Sequence, residues 1–233
     1  MIVTIHQPDF LPWLGFFDRW EKSDLYIVLD DVQFIRRGWH HRDKIKTQNK
    51  IKWLTVPVQK RGRYHQAIKE VKIDHQENWS QKHLKTIQMA YKKAPNFDFV
   101  FGKLSEIYNR EYNLLIEFNM DLLRLCSKML DIDTPLVFAS DFNVKSTGGQ
   151  RLVDLVQSVG GKEYLTGTGS RDYLDEELFK KVGISVRWQE FEHPVYKQLY
   201  GSFEKMLSVL DFLMMTPNSE NVSFHEERNS KRG

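Results

Sequence analysis

The chain has 233 residues, 41% hydrophobic and 13% aromatic, which is ample for a packed core and excludes global disorder. Its 34 Lys+Arg against 31 Asp+Glu leave a formal charge of +3 and a pI ≈ 8.8, a balance suited to a small anionic ligand rather than a long nucleic acid. One cysteine excludes an internal disulfide and a multi-thiolate zinc site. No apolar run approaches the roughly 18 residues of a membrane span, and no charged region precedes an apolar leader, so a cytoplasmic protein is expected.

Residues 2–5, Ile-Val-Thr-Ile, are a β-branched run that predicts a buried strand. The chemistry then changes abruptly at His6-Gln7-Pro8-Asp9. Trp13, Phe16, Phe17 and Trp20 recur at three- and four-residue spacing, which predicts a helix over residues 13–22. Residues 25–29 form a second apolar strand that ends in Asp30 and Asp31. Strand, helix and strand in so short a stretch predict a parallel βαβ unit. Ligands of open parallel sheets bind outside the carboxyl ends of the strands. His6, Asp30 and Asp31 would then stand side by side on one edge, the core of a candidate site.

Residues 35–46 are dense in cations and include Gly38 and Trp39. Arg37 and Arg42 in such a loop would grip a phosphate or carboxylate in bidentate fashion, and a solvated hairpin arm is the alternative. Residues 45–47 and 51–58 predict an antiparallel hairpin, residues 59–65 a polar loop, and the alternation over 68–73 an edge strand. Helical periodicity follows over 79–94, stopped by Pro95, then over 97–108 and 113–130. His83 falls on an apolar helix face and is expected in the core. Cys126 lies in the stripe Leu115, Phe118, Leu122, Leu125 and Met129 and is expected to pack rather than react. This block forms a helical layer inserted in the α/β frame.

Residues 136–140 return to strand, and the helix over 150–159 closes on Gly160-Gly161. Tyr164-Leu165-Thr166 is a short strand that opens into Gly167-Thr168-Gly169-Ser170, followed by a helix over 175–182. Glycines after a strand let backbone N–H groups approach an anion. The loop lacks the P-loop lysine and the dinucleotide fingerprint, and a plain strand–helix turn stays open. A strand over 184–191, a loop over 193–198 and a helix over 203–214 complete the frame. Residues 218–233 are polar and aperiodic, so a disordered tail is expected. The expected fold is α/β, a Rossmann-like, mostly parallel central sheet with an N-terminal βαβ unit, a β-hairpin excursion and an inserted helical layer. Residues 1–216 would form one domain, with a helical subdomain over 79–130 and a tail over 217–233.

Ile5-His6-Gln7-Pro8 with Phe10, Pro12-Trp13 and Gly15, then Asp30-Asp31-Val32-Gln33-Phe34, resemble the signature of the WbqC-like proteins. Residues 39–46 with Arg42 and Ile45 fit the same pattern. So do Tyr164-Leu165-Thr166-Gly167 leading to Tyr173-Leu174-Asp175, and His193-Pro194-Val195-Tyr196-Lys197-Gln198. The resemblance runs from residue 1 to about residue 212. Members of the family close with a further helix, from which the aperiodic C-terminal stretch departs. The resemblance implies a role in bacterial surface-polysaccharide (O-antigen) synthesis, with attachment of an acyl or aminoacyl group to the amino group of a nucleotide-linked amino sugar. The implied partners are that sugar nucleotide and an activated donor, a coenzyme A or acyl-carrier-protein thioester.

For such a transfer His6 is the natural base, because its ordinary pKa of about 6.5 lies near working pH. Asp30 would orient it from the neighbouring strand, with Asp31 beside it. Gln7, Trp13, Gln33, Arg37, Trp39 and Arg42 are the first candidates for substrate contacts, followed by Gly167, Gly169 and Ser170, then His193 and Gln198. No metal is assigned. A nucleotidyltransferase acting on a sugar phosphate is the second reading, since the strand–histidine–helix–strand layout is similar to enzymes with a His-x-x-His motif. Pro12-Trp13-Leu14-Gly15 stands where that paired histidine would be, and Asp30 and Asp31 holding magnesium is the part that survives. A non-catalytic sugar-nucleotide binder is the third.

Overall fold

The computed structural model describes residues 1–172 and 174–217, so Tyr173 and all of the expected tail except residue 217 lie outside the described residues. Strand β1 (Ile2–His6) leads into helix α1 (Leu14–Glu21) and strand β2 (Leu25–Val28). β1 and β2 pair in parallel with Val3 opposite Leu25 and His6 opposite Val28, the predicted βαβ unit. A separate antiparallel hairpin follows, β3 (Arg42–Lys46) with β4 (Ile51–Thr55). Helices α2 (Trp79–Tyr91), α3 (Phe97–Tyr108) and α4 (Leu115–Met129) form the helical layer. Strand β5 (Leu136–Phe138), helix α5 (Gly148–Ser158), strand β6 (Glu163–Thr166), helix α6 (Glu176–Lys180), strand β7 (Ser185–Trp188) and helix α7 (Val209–Met215) complete the described residues.

The five-stranded sheet has the order β5-β2-β1-β6-β7, with all four pairings parallel. The chain therefore works outward from β1 through β2 to β5, then returns to the far side of β1 for β6 and β7. Between β1 and β6 the winding direction reverses, which is where a Rossmann-like sheet leaves a crevice.

The period-two alternation of the strands divides the core between the two faces. Val3, Ile5 and Ile27 pack with Val153, Val156 and Phe179 of α5 and α6. Tyr26 and Val28 point the other way, into a larger core that includes Phe16, Phe17 and Trp20 of α1 and the helical layer. By the same parity His6 falls on the α1 face, where its ring meets Phe16 edge-on at 5.1 Å.

Two expected elements differ. Residues 68–73 form a 3-10 turn at Ile68–Glu70 and isolated bridges (Val58 to Ile73, Lys72 to Leu114) rather than an edge strand. Their alternation reflects burial of Ile68, Val71 and Ile73 beneath α4, not a ladder. The expected helix over 203–214 begins only at Val209. Met206 takes a left-handed φ of 57°, and the Ser208 and Val209 amides donate to Lys44 and Pro12 carbonyls instead of joining a helix. Ser208 then caps α7, its hydroxyl accepting from the Leu210 amide at 3.3 Å.

Candidate functional site

A cavity of about 780 Å3 opens at the carboxyl ends of β1 and β6, in the switch-point crevice. Its floor is Ile5 and Tyr164, and its rim combines His6 and Gln7, Trp13 and Arg19 of the α1 segment, Gly148, Gly149 and Arg151 of α5, and Thr166 to Ser170 after β6.

His6 ends β1 and keeps 30% of its side chain open to solvent. Its Nδ1 lies 3.0 Å from the Gln7 carbonyl oxygen. A carbonyl can only accept, so Nδ1 carries the hydrogen and Nε2 keeps its lone pair. Burial of the surrounding site lowers the His6 pKa to about 4, with the Arg19 charge acting in the same direction. At neutral pH this is a neutral imidazole in a defined tautomer. The Asp9 carboxylate lies 3.7 Å from the same Nδ1 and accepts a hydrogen bond from His40 Nδ1 at 3.0 Å. Asn119 fastens this corner, its amide donating to the Pro8 carbonyl at 2.8 Å and the His40 carbonyl at 2.7 Å.

Trp13 precedes the first turn of α1, with its indole folded over Gly15. A Cβ at Gly15 would overlap the Trp13 ring, so the glycine is required by close approach. The other side of the indole meets Phe191 and stacks at 6.5 Å on His193. His193 thus backs the cavity wall without lining it. Gln198 is further off. Its Oε1 accepts from Lys46 Nζ at 3.0 Å and the Glu204 amide at 2.9 Å, which braces the loop before α7.

The acidic pair at the end of β2 does not serve His6. Asp30 accepts from the Ser140 amide at 3.0 Å and the Ser140 hydroxyl at 2.6 Å, tying β2 to β5. Asp31 pairs with Arg151 at 2.5 Å. The expectation that Asp30 orients His6 is corrected, because the side chain turns along the sheet edge toward β5. Asp9, three residues after His6 and never singled out in the sequence, is the carboxylate beside the ring.

The cationic stretch also lies elsewhere. Arg42 sits over the Trp53 ring at 4.6 Å and donates to the Arg37 carbonyl at 2.7 Å, while Trp39 meets Trp53 at 5.4 Å. These residues clothe the hairpin, and among the described residues the cavity lining includes none of them. Gln33 donates to the Tyr64 carbonyl at 2.9 Å. Of the expected contact residues, the cavity brings together Gln7, Trp13, Gly167, Gly169 and Ser170 with His6.

Arg19 was missed. Its signal was a charge on a short helix otherwise rich in Phe and Trp, inside a βαβ unit that buries such a helix all round. It is 9% exposed and lines the cavity. His83 and Cys126 behave as expected. His83 is held by Tyr108 at 3.2 Å and the Thr55 carbonyl at 3.1 Å, and burial raises the Cys126 pKa to about 12. Among the described residues no helix is long and apolar enough to cross a membrane, and no three His, Cys, Asp or Glu are grouped to hold a metal ion.

A Mycobacterium tuberculosis protein, named as uncharacterized protein Rv1507c, is 36% identical over 213 residues, covering 91% of this chain and 92% of the relative. No solved structure matches. The profile of the WbqC-like protein family matches residues 7–222. That span starts at Gln7, directly after His6, and includes the Gly167 loop, and the chain belongs to the WbqC-like protein family.

Proposed function

We propose that this protein transfers an acyl or aminoacyl group from an activated thioester to the amino group of a nucleotide-linked amino sugar, in the synthesis of a bacterial surface polysaccharide. The observation that carries this reading is the neutral His6 imidazole, its Nδ1–H committed to the Gln7 carbonyl and its ring facing the switch-point cavity. The sugar amine attacks the thioester carbonyl. As the C–N bond forms, the nitrogen becomes acidic, and Nε2 of His6 takes its proton. Collapse breaks the C–S bond, and the proton passes to the departing thiolate. Asp9 beside Nδ1 steadies the imidazolium that forms between these steps.

A group with a pKa of about 4 is a poor base for a free ammonium but a competent acceptor from the far more acidic nitrogen of a tetrahedral intermediate. Burial is the main cause of the low His6 pKa, and an anionic substrate beside Arg19 offsets the smaller contribution of that charge, which moves the pKa upward. The magnesium-dependent nucleotidyl reading loses support, since the Asp30 and Asp31 carboxylates are already held by Ser140 and Arg151.

The test is incubation with nucleotide-activated amino sugars and coenzyme A or carrier-protein thioesters, read by mass spectrometry. A mass gain on the sugar equal to the acyl group is expected. Release of pyrophosphate from a nucleoside triphosphate would favour nucleotidyl transfer instead, and binding without turnover across the panel would leave a sugar-nucleotide binder.

A further inference from the structure

We propose that Arg19 and the Gly167–Ser170 loop form a phosphoryl-anion subsite, which takes the diphosphate of the nucleotide-linked substrate. This deepens the reading of the same cavity and rests on it. Arg19 is more than nine-tenths buried, and its Nε is a buried donor with no hydrogen-bond partner. The neighbouring carboxylates are already engaged. Asp18 is held by Lys22 at 2.9 Å and by Gln189 at 2.6 Å, and Asp9 by His40 at 3.0 Å. A guanidinium cannot shed its proton to escape burial, so a cation placed here calls for an anion from outside the chain.

The loop after β6 is shaped to admit that anion. A Cβ on Gly167 would lie 2.5 Å from Arg19 Nη1, so only glycine lets the guanidinium come up under the backbone. Nothing lies within 4 Å of where a Gly169 Cβ would be, which leaves open space above the same turn. The turn is a 3-10 helix at Thr168–Ser170, and its residues line the cavity together with Gly148 and Gly149. A planar fork of donors and a glycine turn converging on one crevice match a tetrahedral phosphoryl group, and a diphosphate bridges them.

Calorimetry on the full chain with inorganic diphosphate, UDP and acetate separates the chemistries. Diphosphate and UDP are expected to bind and to raise the melting temperature, and acetate to do neither. Arg19→Gln should weaken diphosphate binding by about 10- to 150-fold, the worth of one charge-assisted contact. Arg19→Lys, which keeps the charge without the fork, should recover part of that loss. If Arg19→Gln does not fold, Gly167→Ala decides, because it displaces the guanidinium while keeping its charge, and a similar loss is expected. Parent-like affinity in either folded variant overturns the subsite, as does a parent protein that takes up no diphosphate at millimolar concentration. Diphosphate binding without acyl transfer would sink the transferase reading alone. Acyl transfer without diphosphate binding would sink the subsite alone.

Discussion

The Asp9 carboxylate stands between two histidine rings, accepting from His40 Nδ1 at 3.0 Å and lying 3.7 Å from His6 Nδ1. His40 belongs to the turn before the hairpin, so this one carboxylate couples the cationic arm to the end of β1. Its position also defines what each histidine can do. His40 is buried and holds the corner, while His6 opens on the cavity with its Nε2 lone pair.

His6→Asn keeps polar shape but removes the titrating nitrogen. It is expected to lower turnover in the acyl-transfer assay by about 10²–10⁴-fold while ligand affinity stays near that of the parent. With a free-site pKa of about 4, kcat/KM should show no histidine inflection between pH 6 and 8. Normal turnover per folded molecule, with only a lower melting temperature, would reduce His6 to a strand-end brace.

Gly15→Ala forces the Trp13 indole off its seat, and through it the stack on His193. Overpacking of this kind costs about 1–3 kcal/mol. The expected result is a lower denaturation midpoint together with weaker ligand binding, since the displaced ring is a cavity wall. An unchanged midpoint would mean that the indole has another place to go.

Arg42→Ala should leave ligand affinity unchanged, because its guanidinium lies over Trp53 and on the Arg37 carbonyl and does not line the cavity. Loss of the cation–π contact is worth about 0.5–1 kcal/mol at this half-buried site, seen as slightly easier unfolding of the hairpin. A marked loss of sugar-nucleotide affinity would restore the cationic arm to the site.

Acid should unfold this protein early. Burial lowers His6, His41 and His83 to about 4 in the folded state, below the ordinary 6.5 of the unfolded chain. Between those values the unfolded chain binds more protons, so stability is full above pH 6.5 and lost as pH falls through 4. Each histidine contributes a slope of about 1.4 kcal/mol per pH unit within that window. Urea midpoints at pH 7 and pH 5 measure the combined slope, and His83→Gln should remove one histidine's share. A slope unaltered by that variant would show that His83 titrates normally.

The sequence was sufficient for the frame because the frame is governed by local periodicity. β-Branched residues at 2–5, the aromatic spacing of Trp13, Phe16, Phe17 and Trp20, and the glycines ending α5 each act over a few residues. The parallel pairing of β1 with β2 follows from the helical crossover that joins them, and His6 at a strand end was therefore legible as a site residue. Periodicity misled where long-range bonds outweighed it. Residues 68–73 alternate because Ile68, Val71 and Ile73 are buried, and residues 203–208 lose their helix to bonds with Pro12 and Lys44.

Side-chain direction was the part that only the tertiary structure decided. Neighbouring strands bring His6 and Asp30 to one edge, but Asp30 turns to Ser140 while Asp9 reaches back toward the ring from the loop after β1. The pairing of Arg151 with Asp31 spans 120 residues, beyond any local pattern. Arg19 could be seen in the sequence only as a charge among aromatics. Its meaning depends on β6 arriving beside β1, because only that return places Gly167 against its guanidinium and closes a crevice around a cation with no partner for its Nε.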